Sequence, residues 1–162
     1  MRLSEGVEWG LHCAAVLAFV PEGKGLPATK LAEYHGVPGA YLAKSLQSLS
    51  RARIVEALPG RNGGYRLARP ADEITVLDVV EALDGAEPAF RCTEIRRRAP
   101  FKIPKSDFQI PCSIHTVMDR ADAAWRAELR TVSIADILGM FVQHVSPETI
   151  TKGAHWLEEA LP

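Results

Sequence analysis

The segment Leu31 to Pro70, "LAEYHGVPGAYLAKSLQSLSRARIVEALPGRNGGYRLARP", decides the fold of this 162-residue chain. Its first residues complete a short predicted helix that begins at Ala28. That helix ends at His35-Gly36, because a glycine after the last residue of the apolar pattern is a helix stop signal. A second segment, from about Gly39 to Ser50, carries apolar residues at helical spacing. Two helices joined by a glycine-containing turn predict a helix-turn-helix.

The second half of the same segment predicts a β-hairpin. Ile54 to Leu58 and Tyr65 to Leu67 are strand-like, and "NGG" at Asn62 to Gly64 supplies residues that tolerate positive φ. A helix-turn-helix followed by a basic hairpin describes a winged helix. In that fold the second helix can enter the major groove while arginines of the wing contact the DNA backbone.

Charge is distributed unevenly around this segment, although the net charge of the chain is only -1. Residues 40–70 hold six Lys and Arg against one Glu, whereas residues 72–90 hold six acidic residues and no basic one. A basic segment beside an acidic one indicates a local anion-binding face on a neutral protein. The expected DNA contacts lie on the second helix and the wing, the arginines binding phosphate: Tyr41, Lys44, Ser45, Ser48, Arg51, Arg61 and Arg66.

The remainder of the chain is predicted to be mainly helical. "ITVLDVVEALDG" predicts a helix that starts at Thr75, with Asp78 at its third position, and ends at Gly85. Prolines then interrupt a long loop, and long loops in compact domains are usually functional. The spacing of apolar residues from Ser113 to about Thr131 suits a helix that packs along a partner helix. Two further helix starts are indicated by capping patterns at Ser133 with Asp136 and at Ser146 with Pro147.

Cysteine content and hydropathy indicate the class of protein. No apolar run approaches the roughly 18 residues of a membrane-spanning helix, and the N-terminus is acidic where a signal peptide would be basic. Three cysteines are an odd number without disulfide-framework spacing. We therefore expect a cytoplasmic protein without a membrane partner, whose cysteines serve metal or redox chemistry.

The N-terminal stretch "EGVEWGLHC", residues 5–13, predicts a helix with Ser4 placed to cap it. Glu8 and His12 are four residues apart, so both side chains lie on one helix face and point the same way. Cys13 is one position off that face and is interpreted as a small core residue.

The order of these features resembles the Rrf2 family of bacterial transcription regulators. The resemblance is carried by "MRLSEGVEWGLHC", the segment Leu31 to Pro70, "ITVLDVVEALDG" and a cysteine-bearing loop before a long helix. It implies a homodimer held by that helix and bound to double-stranded DNA, with a pseudo-palindromic operator. The expected fold is mainly α with a small β-hairpin, a winged helix-turn-helix domain plus a long dimerisation helix. Its expected divisions are 1–85 for DNA binding, 86–112 for a cysteine-bearing cluster loop, and 113–162 for the dimerisation helix and C-terminal helices.

In many members the family resemblance also implies an iron-sulfur cluster that controls DNA binding. Cluster-binding members usually carry three cysteines in the loop, whereas this loop has only Cys92 and Cys112. Some members take a non-cysteine ligand from the partner's N-terminal helix, so the resemblance assigns that role to Glu8 and His12. The hypothesis is a [2Fe-2S] cluster held by Cys92 and Cys112 of one chain and by Glu8 and His12 of the other. The expected function is a transcription regulator, acting as a repressor, whose DNA affinity depends on the cluster's redox state or integrity.

Other interpretations of these residues stay open. Glu8 is also consistent with a solvated acid in the first turn of a helix, and His12 with a half-buried imidazole. Cys92 and Cys112 could form a disulfide or thiol switch, or bind zinc with His115. A metal-dependent enzyme is a rival class, but the sequence has no Gly-rich phosphate loop and no set of nucleophile and base, so we expect no enzymatic activity.

Overall fold

The computed structural model of the chain describes residues 2–60 and 63–162. Within these residues, seven helices and a two-stranded hairpin confirm the expected fold class, mainly α with a small hairpin. The elements are α1 (Glu5–Leu17), α2 (Ala28–His35), α3 (Gly39–Arg51), β1 (Val55–Leu58), β2 (Gly64–Leu67), α4 (Val76–Asp84), α5 (Ser113–Thr131), α6 (Ile134–His144) and α7 (Pro147–Ala160). The loop between α4 and α5 contains two short 3-10 turns, Ile95–Arg98 and Lys105–Phe108.

The helix-turn-helix is formed by α2 and α3. Gly36 ends α2 with a φ of 63°, a left-handed conformation that glycine adopts without the Cβ penalty. Pro38 then precedes the first residue of α3 and has no N–H that the helix would leave unpaired. The predicted boundaries of both helices are confirmed to within one residue.

The wing is an antiparallel hairpin in which Val55 pairs with Leu67 and Leu58 with Gly64. It is attached to the segment before α2, because Leu26 and Tyr65 exchange two backbone hydrogen bonds of 2.8 Å. Gly64 is required at this junction: its φ is 144°, and a Cβ there would lie 2.5 Å from the Leu26 carbonyl carbon. Backbone approach this close orients the wing relative to the helix-turn-helix.

Helix capping agrees with the sequence at three sites and in part at a fourth. Ser146 accepts from the Thr149 N–H, with Pro147 as the first residue of α7. Thr75 with Asp78 and Ser133 with Asp136 form the reciprocal capping boxes that open α4 and α6. Ser4 is the N-cap residue of α1, as expected, but its side chain makes no capping hydrogen bond. Its hydroxyl and backbone N–H both donate to the carboxylate of Asp84, because the end of α4 lies beside the start of α1.

The core lies between α1, α3 and α4, with Leu17, Leu46 and Val79 fully buried. Ile134 of α6 and Ala160 of α7 belong to the same buried cluster, so the C-terminal helices pack on the winged domain. In contrast, α5 contributes no buried residue. None of the helices in the described ranges is long and apolar enough to cross a membrane.

Candidate functional site

The exposed face of α3 carries most of the residues expected to contact DNA. Tyr41 and Lys44 are exposed, and the Lys44 ammonium lies 5.7 Å from the centre of the Tyr41 ring. Ser48 is half-buried one turn further along, and Arg51 is exposed at the end of the helix. This face therefore presents two cations and an aromatic hydroxyl from one rigid element.

Ser45 does not share that face, although the sequence grouped it with Lys44. Its side chain is 9% exposed. The Ser45 hydroxyl lies 3.4 Å from the position that a Cβ on Gly6 would occupy, so it faces α1. Consecutive residues of a helix point to different faces, and the face at the position after Lys44 is the core. The expected surface position of Ser45 is therefore wrong.

Gln47 is the residue on this face that sequence reasoning missed. It is exposed and lies three residues after Lys44 and four before Arg51. The sequence spacing alone could have indicated Gln47 as a member of this face, because residues three and four apart are neighbours on a helix surface. An amide side chain can donate and accept hydrogen bonds at base edges.

On the wing, Arg66 pairs across the strands with Glu56. The two residues are in register, and the Arg66 Nε lies 2.7 Å from a Glu56 carboxylate oxygen. A phosphate bound by Arg66 would therefore compete with this carboxylate. Arg61, expected to contact phosphate at the wing tip, lies outside the described residues.

The long loop holds two free, half-buried thiols, Cys92 and Cys112. Backbone N–H groups of His115 and Ile114, at the start of α5, donate to the Cys112 sulfur and lower its pKa. The guanidinium of Arg96 is close enough to both sulfurs to interact electrostatically. At Cys112 these contacts favour the thiolate, which is the nucleophilic and metal-binding form.

Glu8 and His12 are both exposed on α1, on the one helix face that their spacing predicts. They border a surface groove of about 410 Å³ that begins at Leu3 and Ser4. Across the described residues, no group of three His, Cys, Asp or Glu side chains could hold a metal ion. A single chain therefore does not bring this pair together with the two cysteines.

His35 is a second residue that the sequence pattern does not single out, since in the sequence it marks only the end of a helix. Its ring centre lies 5.7 Å from that of His12. Its Nε2 is buried and has no hydrogen-bond partner in the part of the chain that the structure describes. Burial, and then the neighbouring His12, lower the pKa of His35.

Two other candidate ligands have different roles. Cys13 is fully buried, and burial raises the pKa of its thiol to about 12, which agrees with a core residue. His115, considered for zinc, has its Nε2 3.2 Å from a carboxylate oxygen of Asp119 on the next turn.

The outer face of α5 is apolar and exposed. Asp122 and Arg126 form an ion pair at 2.7 Å, and Arg126 also bonds Glu81 at 2.6 Å, which attaches one side of α5 to α4. Another side of α5 presents the stripe expected from the sequence, with Val117 61% exposed. Its exposed members are Ile114, Val117, Ala121 and Ala124, and Met118 is exposed beside them.

Comparison with known proteins gives one family and several structures of the same fold. The family model Rrf2, described as an iron-dependent transcriptional regulator, matches residues 3–139. CymR (YrzC), the global cysteine regulator of B. subtilis, is similar with a TM-score of 0.64 at 21% identity, over 86% of this chain and 98% of that one. The oxidized form of Staphylococcus aureus CymR has a TM-score of 0.61 at 22% identity, over 85% and 96%. IscR from T. potens has a TM-score of 0.63 at 20% identity, over 93% and 96%. At these identities the structures establish a shared winged-helix fold.

Proposed function

The chain belongs to the Rrf2 family of transcription regulators, and we propose that it binds DNA as a homodimer whose affinity is controlled by a [2Fe-2S] cluster. As a member of this family it is a regulator and not an enzyme. Rrf2 regulators bind DNA and are typically dimeric. The cluster, its ligands and its control of DNA binding are the proposed part.

Two cysteines suit an iron-sulfur cluster chemically, because thiolate sulfur is the preferred ligand of its iron atoms. Cys92 and Cys112 are free, and the surroundings of Cys112 lower its pKa. Cys13 is excluded from the set, because its thiol is buried and its pKa is raised to about 12. The loop thus supplies two ligands where the common clusters need four.

The proposal rests mainly on one observation: the chain holds two incomplete pairs of metal ligands, one on α1 and one in the cysteine loop. Glu8 and His12 are exposed together on α1, and among the described residues neither takes part in an ion pair. One chain does not assemble three donors in its described part. A dimer in which α1 of one subunit lies against the cysteine loop of the other would join the pairs, twice per dimer.

The exposed stripe on α5 supports this dimer. A 19-residue helix with no buried residue and an apolar outer face is stabilised when that face is covered by another subunit. We assign residues 113–162 to the dimerisation helix and the C-terminal helices, 86–112 to cluster binding and 1–85 to DNA binding. Two α3 helices related by a two-fold axis would contact a pseudo-palindromic operator.

When bound, the cluster supplies one-electron redox chemistry and a centre that oxidants or nitric oxide attack. Glu8 offers a hard carboxylate and His12 an imidazole that can take up a proton, so these two ligands are the easier ones to release. Both belong to α1, which packs on α3. A change in their attachment therefore shifts the population of dimer geometries, and with it the spacing of the two α3 helices.

A cluster-free thiol switch is the second candidate. Cys92 and Cys112 are free thiols in one loop and share Arg96 as a neighbour. An oxidant such as a disulfide or peroxide could remove two electrons and two protons and join the sulfurs. Zinc held by both cysteines and His115 is less favoured, because the described residues show no such group of three.

Spectroscopy of protein purified without oxygen distinguishes these candidates. We expect visible absorption and circular dichroism that bleach reversibly with dithionite, and about two iron and two sulfide per chain. A colourless, iron-free protein that still binds DNA would contradict the cluster and favour the thiol switch.

A further inference from the structure

The side chain of Arg96 is held by groups from both ends of the cysteine loop. Its Nε lies 2.5 Å and its Nη2 2.8 Å from the two carboxylate oxygens of Glu94, a bidentate pair. Nη2 also donates to the Ile110 carbonyl at 3.1 Å, and Nη1 to the Asp107 carbonyl at 3.5 Å. One guanidinium therefore connects the segment after Cys92 with the segment before Cys112.

Glu94 is itself held in an unusual backbone conformation next to Cys92. Its φ is 51°, which a non-glycine residue rarely adopts. In this conformation the Glu94 N–H donates to the Cys92 sulfur at 3.4 Å. Backbone strain of this kind persists only where surrounding contacts enforce it, and the pair with Arg96 supplies such contacts.

The other end of the connection leads directly to Cys112. Ile110, whose carbonyl accepts from Arg96, is two residues before Cys112. The Phe108 ring packs under the same guanidinium, with its centre 5.5 Å from the Arg96 carbon Cζ. The position of Arg96 thus limits how far the two thiols can move apart.

We propose that Glu94 and Arg96 form a positioning clamp that holds Cys92 and Cys112 ready to bind one thiophilic centre jointly. The clamp extends the proposed function. It rests on that proposal in one respect only, which is that the two cysteines act together as ligands. It acts by reducing the conformational freedom of the loop before binding, which raises the effective concentration of one thiol for the other.

The clamp makes a different prediction from a simple effect of positive charge. Arg98 is an exposed arginine on the same 3-10 turn, with no ion pair or hydrogen bond from its side chain to the described residues. Arg98→Gln therefore removes the same charge without touching the clamp. Arg96→Lys keeps the charge but loses the bidentate fork.

The test uses phenylarsine oxide, a probe that binds two neighbouring thiols by forming two As–S bonds with release of one water. Metal-free, reduced protein is titrated with it, and the affinity is measured for wild type, Arg96→Gln, Arg96→Lys, Glu94→Gln and Arg98→Gln. We expect affinity to fall about tenfold in the first three variants and to be unchanged in Arg98→Gln. Far-ultraviolet circular dichroism and thermal melts check that each variant is folded.

Equal affinity in wild type and Arg96→Gln would overturn the clamp, and so would an equal loss in Arg98→Gln. Wild-type affinity for phenylarsine oxide in Arg96→Lys would show that positive charge, and not the clamp, is responsible. These results are independent of the cluster, because the protein tested holds no metal. A protein that takes up no cluster but shows the expected arsenical pattern would refute the proposed function and keep the clamp.

Discussion

The imidazole ring of His12 lies 5.7 Å from that of His35, measured between ring centres and at a tilt of 54°. His12 belongs to α1, whereas His35 is the last residue of α2, one residue before the glycine turn that leads to α3. Rings at this separation are in contact range. The face proposed to bind the cluster therefore touches the helix-turn-helix within one chain.

Replacing His12 tests the proposed ligand set. His12→Ala should weaken cluster binding by about 10-fold or more without unfolding the protein, because a ligand is lost from an exposed position. Visible circular dichroism and iron content under anaerobic conditions report the loss. His155→Ala, an exposed histidine on α7, is the matched control and should keep the full spectrum. An unchanged spectrum in His12→Ala would mean that His12 is not a ligand.

Lys44 should carry a larger part of DNA binding than its single charge suggests, since it lies on the exposed face of α3. We expect Lys44→Ala to weaken binding and, if it contacts phosphate, to reduce the slope of log K against log salt by about 1. Fluorescence anisotropy over a salt series measures both. Lys152→Ala on α7, where Lys152 pairs with Glu148, should change neither. An identical slope with weakened binding would place Lys44 on a base edge instead.

The apolar stripe of α5 should be the dimer interface. Val117→Asp puts a charge at its centre, where burial in a dimer would cost about 3 kcal/mol and raise the dissociation constant about 100-fold. Sedimentation velocity over a concentration series gives the constant. Ala123→Asp places the same charge on an exposed position off the stripe and should leave the dimer intact. Dimers that survive Val117→Asp would require another interface.

Thiol labelling of the reduced, metal-free protein should stop at two of the three cysteines. Burial raises the pKa of Cys13 to about 12, whereas backbone N–H groups lower that of Cys112. Intact mass after iodoacetamide at pH 8, followed by peptide mapping, identifies the sites. Labelling of Cys13 at the rate of Cys92 would show that the core opens readily. Addition of urea is the positive control, since unfolding should expose the third thiol.

The capping box of α6 should contribute measurable stability. Ser133→Ala removes a side-chain acceptor from the Asp136 N–H and should destabilise the fold by about 1 kcal/mol. Thermal unfolding should show Tm lower by about 2–4 °C. The exposed loop variant Ser106→Ala should have the wild-type Tm.

The same cap gives a pH dependence with a defined sign. Hydrogen bonds from Ser133 lower the pKa of Asp136 from its ordinary value of 3.8. A carboxylate with a lower pKa in the folded state contributes stability above pH 3.8, and that contribution is lost as pH falls through the folded-state pKa. The stability difference between wild type and Ser133→Ala should therefore shrink in acid.

Local patterns predicted the elements well where neighbours in sequence decide the structure. Thr75 with Asp78 and Ser133 with Asp136 make the expected capping boxes, because each depends on only three residues of separation. The Ser4 side chain did not follow its local pattern, because Asp84, eighty residues away, competes for its hydroxyl. Ser45 differs for a related reason, since its orientation depends on where α1 packs.

The sequence by itself determined the winged helix, the placement of Glu8 and His12 on one helix face, and a cysteine-bearing loop with two cysteines where the usual cluster loop has three. These follow from helical periodicity and from the residue types, which act over a few positions. Only the tertiary structure decided that His35 contacts His12, that Gln47 joins the exposed face of α3, and that Arg96 connects the regions of Cys92 and Cys112. Each of these depends on how helices and loop segments pack, and packing is set by the whole core rather than by local spacing.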